Sequence, residues 1–248
     1  MSFKKYIPNF LTLLNLFSGT IAVIFAVNNE LELAAYFVFL GIFFDFFDGF
    51  AARIFKVQGE LGKQLDSLAD VVTSGVVPGV VLYKLLQTKN TVEIFNTEIV
   101  SWKTQEIELV PFFGLLVTLA AAYRLAKFNI DERQTSSFIG LPTPAAALVV
   151  LSLPLILNYS SLEIATVIIE NKLFLIGLTI VLSILMNAEI PLFSLKFKDY
   201  SWKNNKIKFS FILLTAILCI ALKFVAIPVV IIVYVLMSLF FKEKKVKY

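Results

Sequence analysis

Apolar residues in this chain come in long unbroken runs, near residues 7 to 27, 31 to 53, 66 to 88, 109 to 128, 142 to 158, 172 to 190, 208 to 223 and 225 to 242. Each approaches the roughly 20 apolar residues that carry an α-helix across a hydrocarbon layer about 30 Å thick. Strands of a membrane barrel would instead alternate apolar and polar residues over about ten positions. The pattern therefore predicts an all-α polytopic transmembrane helix bundle of about eight spans. The last two runs are separated only by Lys223 to Ala226, which leaves open a single kinked or partly re-entrant unit around Pro228. Gly75, Pro78 and Gly79 predict a local kink in the third run.

The polar punctuation orients these spans. With the N-terminus inside, the inside segments carry Lys4 and Lys5; Arg53, Lys56 and Lys63; Arg124, Lys127 and Arg133; Lys196, Lys198, Lys203, Lys206 and Lys208; and Lys242, Lys244, Lys245 and Lys247. Only Lys84, Lys89, Lys103, Lys172 and Lys223 fall on the other side, so an even number of spans with both termini cytoplasmic is expected. The first run continues to about Val27 without a clear cleavage pattern and precedes further spans, so it reads as a span and not a signal peptide. The longest polar connection, about Gln87 to Glu108, lies outside and holds no readable motif. No soluble domain or internal repeat interrupts the pattern, and the whole chain, residues 1–248, reads as one membrane domain.

Composition narrows the chemistry. The 248 residues are 58% hydrophobic with a mean hydropathy of +0.85, beyond the apolar content of an ordinary soluble domain. The net charge of +4 is spread over inside loops and the tail, which makes it a topology signal and not a nucleic-acid footprint. Cys219 is the single cysteine, so no intramolecular disulfide forms. There is no histidine, which removes the commonest general base and transition-metal ligand and leaves acid-base work to carboxylates.

Acidic residues at span ends supply the strongest signal, because ionisable groups at membrane depth are costly and by default functional. Asp45 and Asp48 close the second run and Asp66 and Asp70 open the third, at one membrane face. Spacings of three and four put each pair on one side of its helix. Four converging carboxylates repel unless cations lie between them, and all-oxygen ligands suit hard ions such as Mg²⁺ or Mn²⁺. Gly49, Ala52 and Gly62 flank the acids and make room for a bulky group, or serve close helix packing. Arg53 pairs with a phosphate or carboxylate, or anchors the span end.

The string D-x-x-D-G-x-x-A-R, eight residues, G-x-x-x-D-x-x-x-D is matched at Asp45, Asp48, Gly49, Ala52, Arg53, Gly62, Asp66 and Asp70 without a departure. It resembles the signature of the CDP-alcohol phosphotransferases, membrane enzymes that move a phosphoalcohol from a CDP-linked donor to an acceptor hydroxyl. The resemblance implies a six-span catalytic core, about residues 1–190, around a polar cavity at the cytoplasmic face, with extra C-terminal spans at about 208–242. It implies that Asp45, Asp48 and Asp66 hold two divalent ions against the donor's pyrophosphate, and that Asp70 is both a ligand and the base.

Three flanking segments, IPNFLTLLNLFSG, YRLAKFN and GLPTPAAA, are similar to those of the phosphatidylserine synthase branch and extend the resemblance over roughly the first 150 residues. That likeness implies CDP-diacylglycerol and L-serine as substrates, a bacterial cytoplasmic membrane as the location, and admits a homodimer. Asn9 and Thr12 would then face the nucleotide; the plainer alternative is that Pro8 and Asn9 start a helix and Thr12 packs. Arg124, Lys127 and Asn129 would hold the serine carboxylate or lipid phosphate at the inner mouth of the fourth span, or act as topology anchors. Pro142 and Pro144 in GLPTPAAA start the fifth span. Acceptors bearing a further phosphate, glycerol 3-phosphate or inositol phosphate, would require more basic residues than Arg124, Lys127 and Arg133. Intramembrane prenyl transfer would not require the D-G-x-x-A-R tail, and an ion path through the four acids would involve no transfer chemistry.

Overall fold

The computed structural model describes residues 6–87, 100–102, 105–131, 138–193, 201–202 and 205–240. Helices α1 (Tyr6–Val27) and α2 (Leu31–Phe55) pack against each other across a turn in which Asn29 takes a positive φ of 66°. Helix α2 stops at Lys56, whose left-handed backbone (φ 53°) turns its N–H back onto the Ala52 and Arg53 carbonyls. Helix α3 (Glu60–Asp70) passes through a π-helical turn (Val71–Val76) into α4 (Val77–Leu86). A small hairpin, β1 (Val100–Trp102) and β2 (Gln105–Ile107), precedes a 3₁₀ turn (Val110–Leu115) and α5 (Leu116–Ile130). Strand β3 (Phe138–Ile139) enters α6 (Thr143–Tyr159) through Pro142 and Pro144; α7 (Glu163–Ile169) and α8 (Lys172–Asn187) follow. Strand β4 (Pro191–Leu192) pairs antiparallel with β3, clasping the start of α6 to the end of α8. Helices α9 (Lys206–Leu222) and α10 (Ala226–Phe240) end the described chain.

Among the described residues five helical stretches are long and apolar enough to cross a membrane: Tyr6–Val27, Leu31–Phe55, Glu60–Leu86, Val110–Ile130 and Lys206–Phe240. The bent pair α7 and α8, at 75° to each other, makes a sixth, and α6 is an apolar helix of 17 residues. The protein is an all-α integral membrane bundle, as the apolar runs imply. The stretch Lys206–Phe240 is not one rod. Lys223 has a positive φ of 49°, and the Phe211 and Tyr234 rings lie 5.7 Å apart, whereas a straight helix would separate them by about 34 Å. Helix α10 thus folds back on α9, which settles the two last runs as a hairpin.

The observed elements depart from the hydropathy pattern in three places. The third helix begins at Glu60, well before Asp66, because the amphipathic segment Glu60–Leu65 continues the helix outward beyond the apolar zone; Asp66 and Asp70 lie inside the helix and not at its opening. The kink expected from Gly75, Pro78 and Gly79 takes the form of a π-turn within a continuous span. Pro78 offers no N–H to the Ser74 carbonyl, and the Val77 N–H reaches back five residues to Val72. The sixth span is preceded by α7, which the polar break at Glu170 and Asn171 separates from α8; Asn171 caps α8 by accepting from the Leu173 and Phe174 N–H groups.

Polar contacts tie helix ends together at two opposite faces of the bundle. At one face Lys63 Nζ donates to the Asn129 carbonyl at 2.5 Å and Asn129 Nδ2 to Ser67 Oγ at 2.9 Å, joining the start of α3 to the end of α5. At the opposite face Glu32 accepts from Tyr36, Asn158 and Tyr159, joining the start of α2 to the end of α6. Between them Val81, Leu82, Leu86, Val117, Val150, Leu151, Leu155 and Leu175 form a dry core centred on α6. Phe10, Phe17, Phe46, Leu119, Ile184 and Ile220 stand on the outside, where a lipid-facing surface requires no polar cover.

Candidate active site

The inward face of α1 is built from small and polar residues, Pro8, Thr12, Asn15, Ser18, Gly19, Ala22 and Ala26, recurring at helical spacing. It lets α2 and α3 approach closely, so the acidic ends of both helices converge. Carboxylate oxygens of Asp45, Asp48 and Asp66 all lie within 4.8 Å of one another. Thr12 Oγ1, with the Pro8 carbonyl 3.1 Å away, donates to Asp48 Oδ2. Asp70 lies one turn deeper, 9% exposed, and accepts from Asn15 Nδ2 at 3.3 Å.

Beside the cluster opens a cavity of about 460 Å³, lined by Asn9, Thr12, Asp48, Gly49, Ala52, Gly62, Lys63 and Asp66 together with the turn Val57 to Gly59. A methyl on Gly49 would meet only Arg53 Nη1, at 3.7 Å, and one on Gly62 would approach Asn9 Oδ1 to 3.3 Å. Gly49 therefore faces open space, whereas a side chain at Gly62 would press on Asn9 of α1. Every predicted donor-side residue except Asp45, Arg53 and Asp70 lines this cavity; Asp45 joins it through the carboxylate cluster and Arg53 sits exposed at its rim.

The donor set fits a hard divalent cation. Three carboxylates crowd together, and among the described residues no lysine or arginine forms an ion pair with them. Such crowding is relieved by a proton shared between the oxygens or by a cation, and all-oxygen ligation is the preference of Mg²⁺ and Mn²⁺. An acidic cluster that could bind metal is therefore present.

On the acceptor side the structure separates residues that the chain groups together. Arg124 is buried, 7% exposed, close enough to Asp70 for their charges to interact, with its Nε lacking any partner. Its guanidinium also stands over the Phe128 ring at 5.9 Å. Lys127 is turned to Glu189, 3.5 Å away, and Asn129 is taken up by Ser67 and Lys63. Arg133 lies outside the described residues.

Sequence reasoning did not pick out Asn15 and Thr73, which touch the site from within the apolar runs. Thr73 Oγ1 donates to Asn15 Oδ1 at 2.8 Å, and Asn15 in turn reaches Asp70. A signal was available, since an asparagine in mid-span is a polar group that needs a hydrogen-bond partner on a neighbouring helix.

Comparison with known proteins agrees with this architecture. A family model described as CDP-alcohol phosphatidyltransferase matches residues 5–192. The chain is 33% identical over 166 residues to a CDP-diacylglycerol–serine O-phosphatidyltransferase of Bacillus subtilis, covering 65% of this chain and 82% of that protein. It is 33% identical over 200 residues to the protein of that name in Helicobacter pylori strain J99, covering 79% of this chain and 74% of the relative. It is 29% identical over 174 residues to an archaetidylserine synthase of Methanothermobacter thermautotrophicus, covering 69% and 67%. With the match spanning most of the chain and containing the whole acidic cluster and its cavity, the protein belongs to the CDP-alcohol phosphatidyltransferase family.

Proposed function

We propose that this protein transfers the phosphatidyl group of CDP-diacylglycerol to the hydroxyl of L-serine, giving phosphatidylserine and CMP. The observation that carries the reading is the unbroken acidic motif folded into a three-carboxylate cluster on the wall of a cavity of about 460 Å³, in a chain whose relatives carry that activity in their names. The distribution of positive residues supports a site on the cytoplasmic side of the membrane, and the bacterial relatives support a bacterial membrane as its location.

In this reading Asn9, Thr12, Gly49, Ala52 and Gly62 receive the cytidine and diphosphate, and Arg53 stands at the rim to meet departing CMP. Asp45, Asp48 and Asp66, with Asp70 behind them, would hold two Mg²⁺ or Mn²⁺ ions, which when bound would supply positive charge to the diphosphate. Thr12 steadies Asp48 in the required rotamer by its hydrogen bond. Arg124 holds the serine carboxylate; a guanidinium whose Nε is unpartnered has a donor to give. Asp70 takes the proton of the serine hydroxyl while its oxygen attacks the phosphorus that bears diacylglycerol. The P–O bond to CMP then breaks.

A non-phosphorylated acceptor is favoured over glycerol 3-phosphate or inositol phosphate because Lys127, one of few basic residues available for a second phosphate, is engaged by Glu189. The test is CMP release from purified protein given CDP-diacylglycerol, Mg²⁺ or Mn²⁺ and each alcohol separately. Serine-dependent release is expected, and release only with another alcohol would overturn the acceptor. Asp70→Asn is expected to abolish turnover while leaving CDP-diacylglycerol binding measurable.

A further inference from the structure

Thr73 sits in the π-turn directly after Asp70, completely buried, in a socket formed by two glycines on two other stretches of helix. A Cβ on Gly19 of α1 would lie 2.5 Å from Thr73 Oγ1. A Cβ on Gly41 of α2 would lie 2.8 Å from Thr73 Cγ2 and 2.9 Å from Asn15 Oδ1. Contacts under about 3 Å are deep in the repulsive wall, so both helices are held open for this one side chain. Its hydroxyl donates to Asn15 Oδ1 at 2.8 Å, and the Asn15 backbone carbonyl oxygen lies 3.4 Å from the same hydroxyl. With Oδ1 engaged, the amide has one orientation left, NH₂ toward Asp70, and Nδ2 lies 3.3 Å from Asp70 Oδ1.

The π-turn is what brings Thr73 there. It widens the helix after Asp70, and the Gly75 carbonyl accepts from Thr118 Oγ1 of α5 at 2.9 Å. The distortion therefore has a supporting partner on a neighbouring helix.

We infer that Asn15 and Thr73 are positioning residues for the transfer reaction, a relay in which the Thr73 hydroxyl locks the Asn15 amide so that it pins Asp70 Oδ1 and leaves the other carboxylate oxygen facing the acceptor hydroxyl. The inference rests on the assignment of Asp70 as proton acceptor. A pinned carboxylate accelerates the chemical step without adding a contact to the donor, so the relay acts on turnover and not on donor affinity.

The experiment compares Thr73→Val, Thr73→Ser and the lipid-facing control Thr20→Val, with Asp70→Asn and the wild type alongside, in serine-dependent CMP release and CDP-diacylglycerol binding. Thr73→Val keeps the shape of the side chain and loses the donor. It is expected to lower kcat by about 10- to 100-fold with the KM and binding of CDP-diacylglycerol within about twofold. Thr73→Ser restores the donor and is expected to recover kcat to within about threefold, and Thr20→Val, whose hydroxyl only bonds its own helix at Leu16, to leave it unchanged. Gly41→Ala, which crowds Thr73 and Asn15 without touching the cavity, is expected to reproduce the kcat loss. A folded Thr73→Val protein with normal kcat overturns the relay, as do equal losses in Thr73→Val and Thr73→Ser. Full turnover by Asp70→Asn removes the base assignment and the relay with it. Release by the wild type with glycerol 3-phosphate and not serine overturns the acceptor alone, and the same variant ratios measured with that alcohol then decide the relay.

Discussion

The span Glu60–Leu86 and the hairpin of α9 and α10 are both apolar enough to cross a membrane, yet they are built on opposite principles. In the first, 56% of the most apolar window is buried in the protein; in Lys206–Phe240 the figure is 6%. The first buries Asp70, Thr73 and Ser74 and is distorted by a π-turn. Among the described residues the hairpin buries little beyond Phe211, Ala226, Tyr234 and Ser238, and its ties to the bundle are largely aromatic: Phe193 against Phe211 and Tyr234, with the Tyr234 hydroxyl donating to the Phe193 carbonyl at 2.8 Å, and Tyr159 of α6 against Phe224 in the hairpin turn. The family match ends at residue 192, just before this hairpin. Polar groups are placed inside a membrane protein only where an interaction offsets their desolvation, so the contrast separates a span that buries partnered polar groups from one of little more than hydrophobic mass.

That contrast is sharpest when the acids are removed. Asp66→Asn takes away one of three converging carboxylates and is expected to reduce CMP release by on the order of 10³-fold in folded protein, with chelator treatment of the wild type doing the same and added Mg²⁺ or Mn²⁺ restoring it. Turnover that survives both treatments would break the comparison at its strongest point. A smaller loss, about 10²-fold in kcat/KM for serine, is expected of Arg124→Lys, because an ammonium cannot replace a planar donor fork; Lys127→Ala, already paired with Glu189, should cost only a few-fold. Equal effects of the two in acceptor kinetics would merge residues that the structure holds apart. Gly62→Val fills the cavity beside Asn9 and is expected to raise the KM for CDP-diacylglycerol by about tenfold with kcat little changed, the signature of lost ground-state binding.

In the hairpin the expectations reverse. Tyr234→Phe removes the hydrogen bond to the Phe193 carbonyl and should lower stability by about 1 kcal/mol in a thermal or denaturant titration in detergent while activity stays within about twofold. Ile220→Ala, on the exposed side of α9, is expected to leave both measurements unaltered. Loss of turnover in either variant would give the hairpin a part in the chemistry.

Much of this was open to reading along the chain because the membrane makes two demands that are written locally. Every spanning segment must satisfy its own backbone, which turns a long apolar run into a helix whatever surrounds it. Every carboxylate at depth needs a reason, which drew Asp45, Asp48, Asp66 and Asp70 out of the sequence together with their helical spacing. Tertiary structure decided the features that depend on neighbours. Hydropathy could not see that α3 starts at Glu60, because amphipathic helix outside the apolar zone carries no apolar run. Lys127 and Asn129 stand beside Arg124 in sequence, but only packing turned one toward Glu189, tied the other to α3, and buried Arg124 near Asp70. Asn15 and Thr73 lie far apart in sequence, and no local pattern relates them. Their hydrogen bond exists because Gly19 and Gly41 let helices approach to a separation at which any larger side chain would collide.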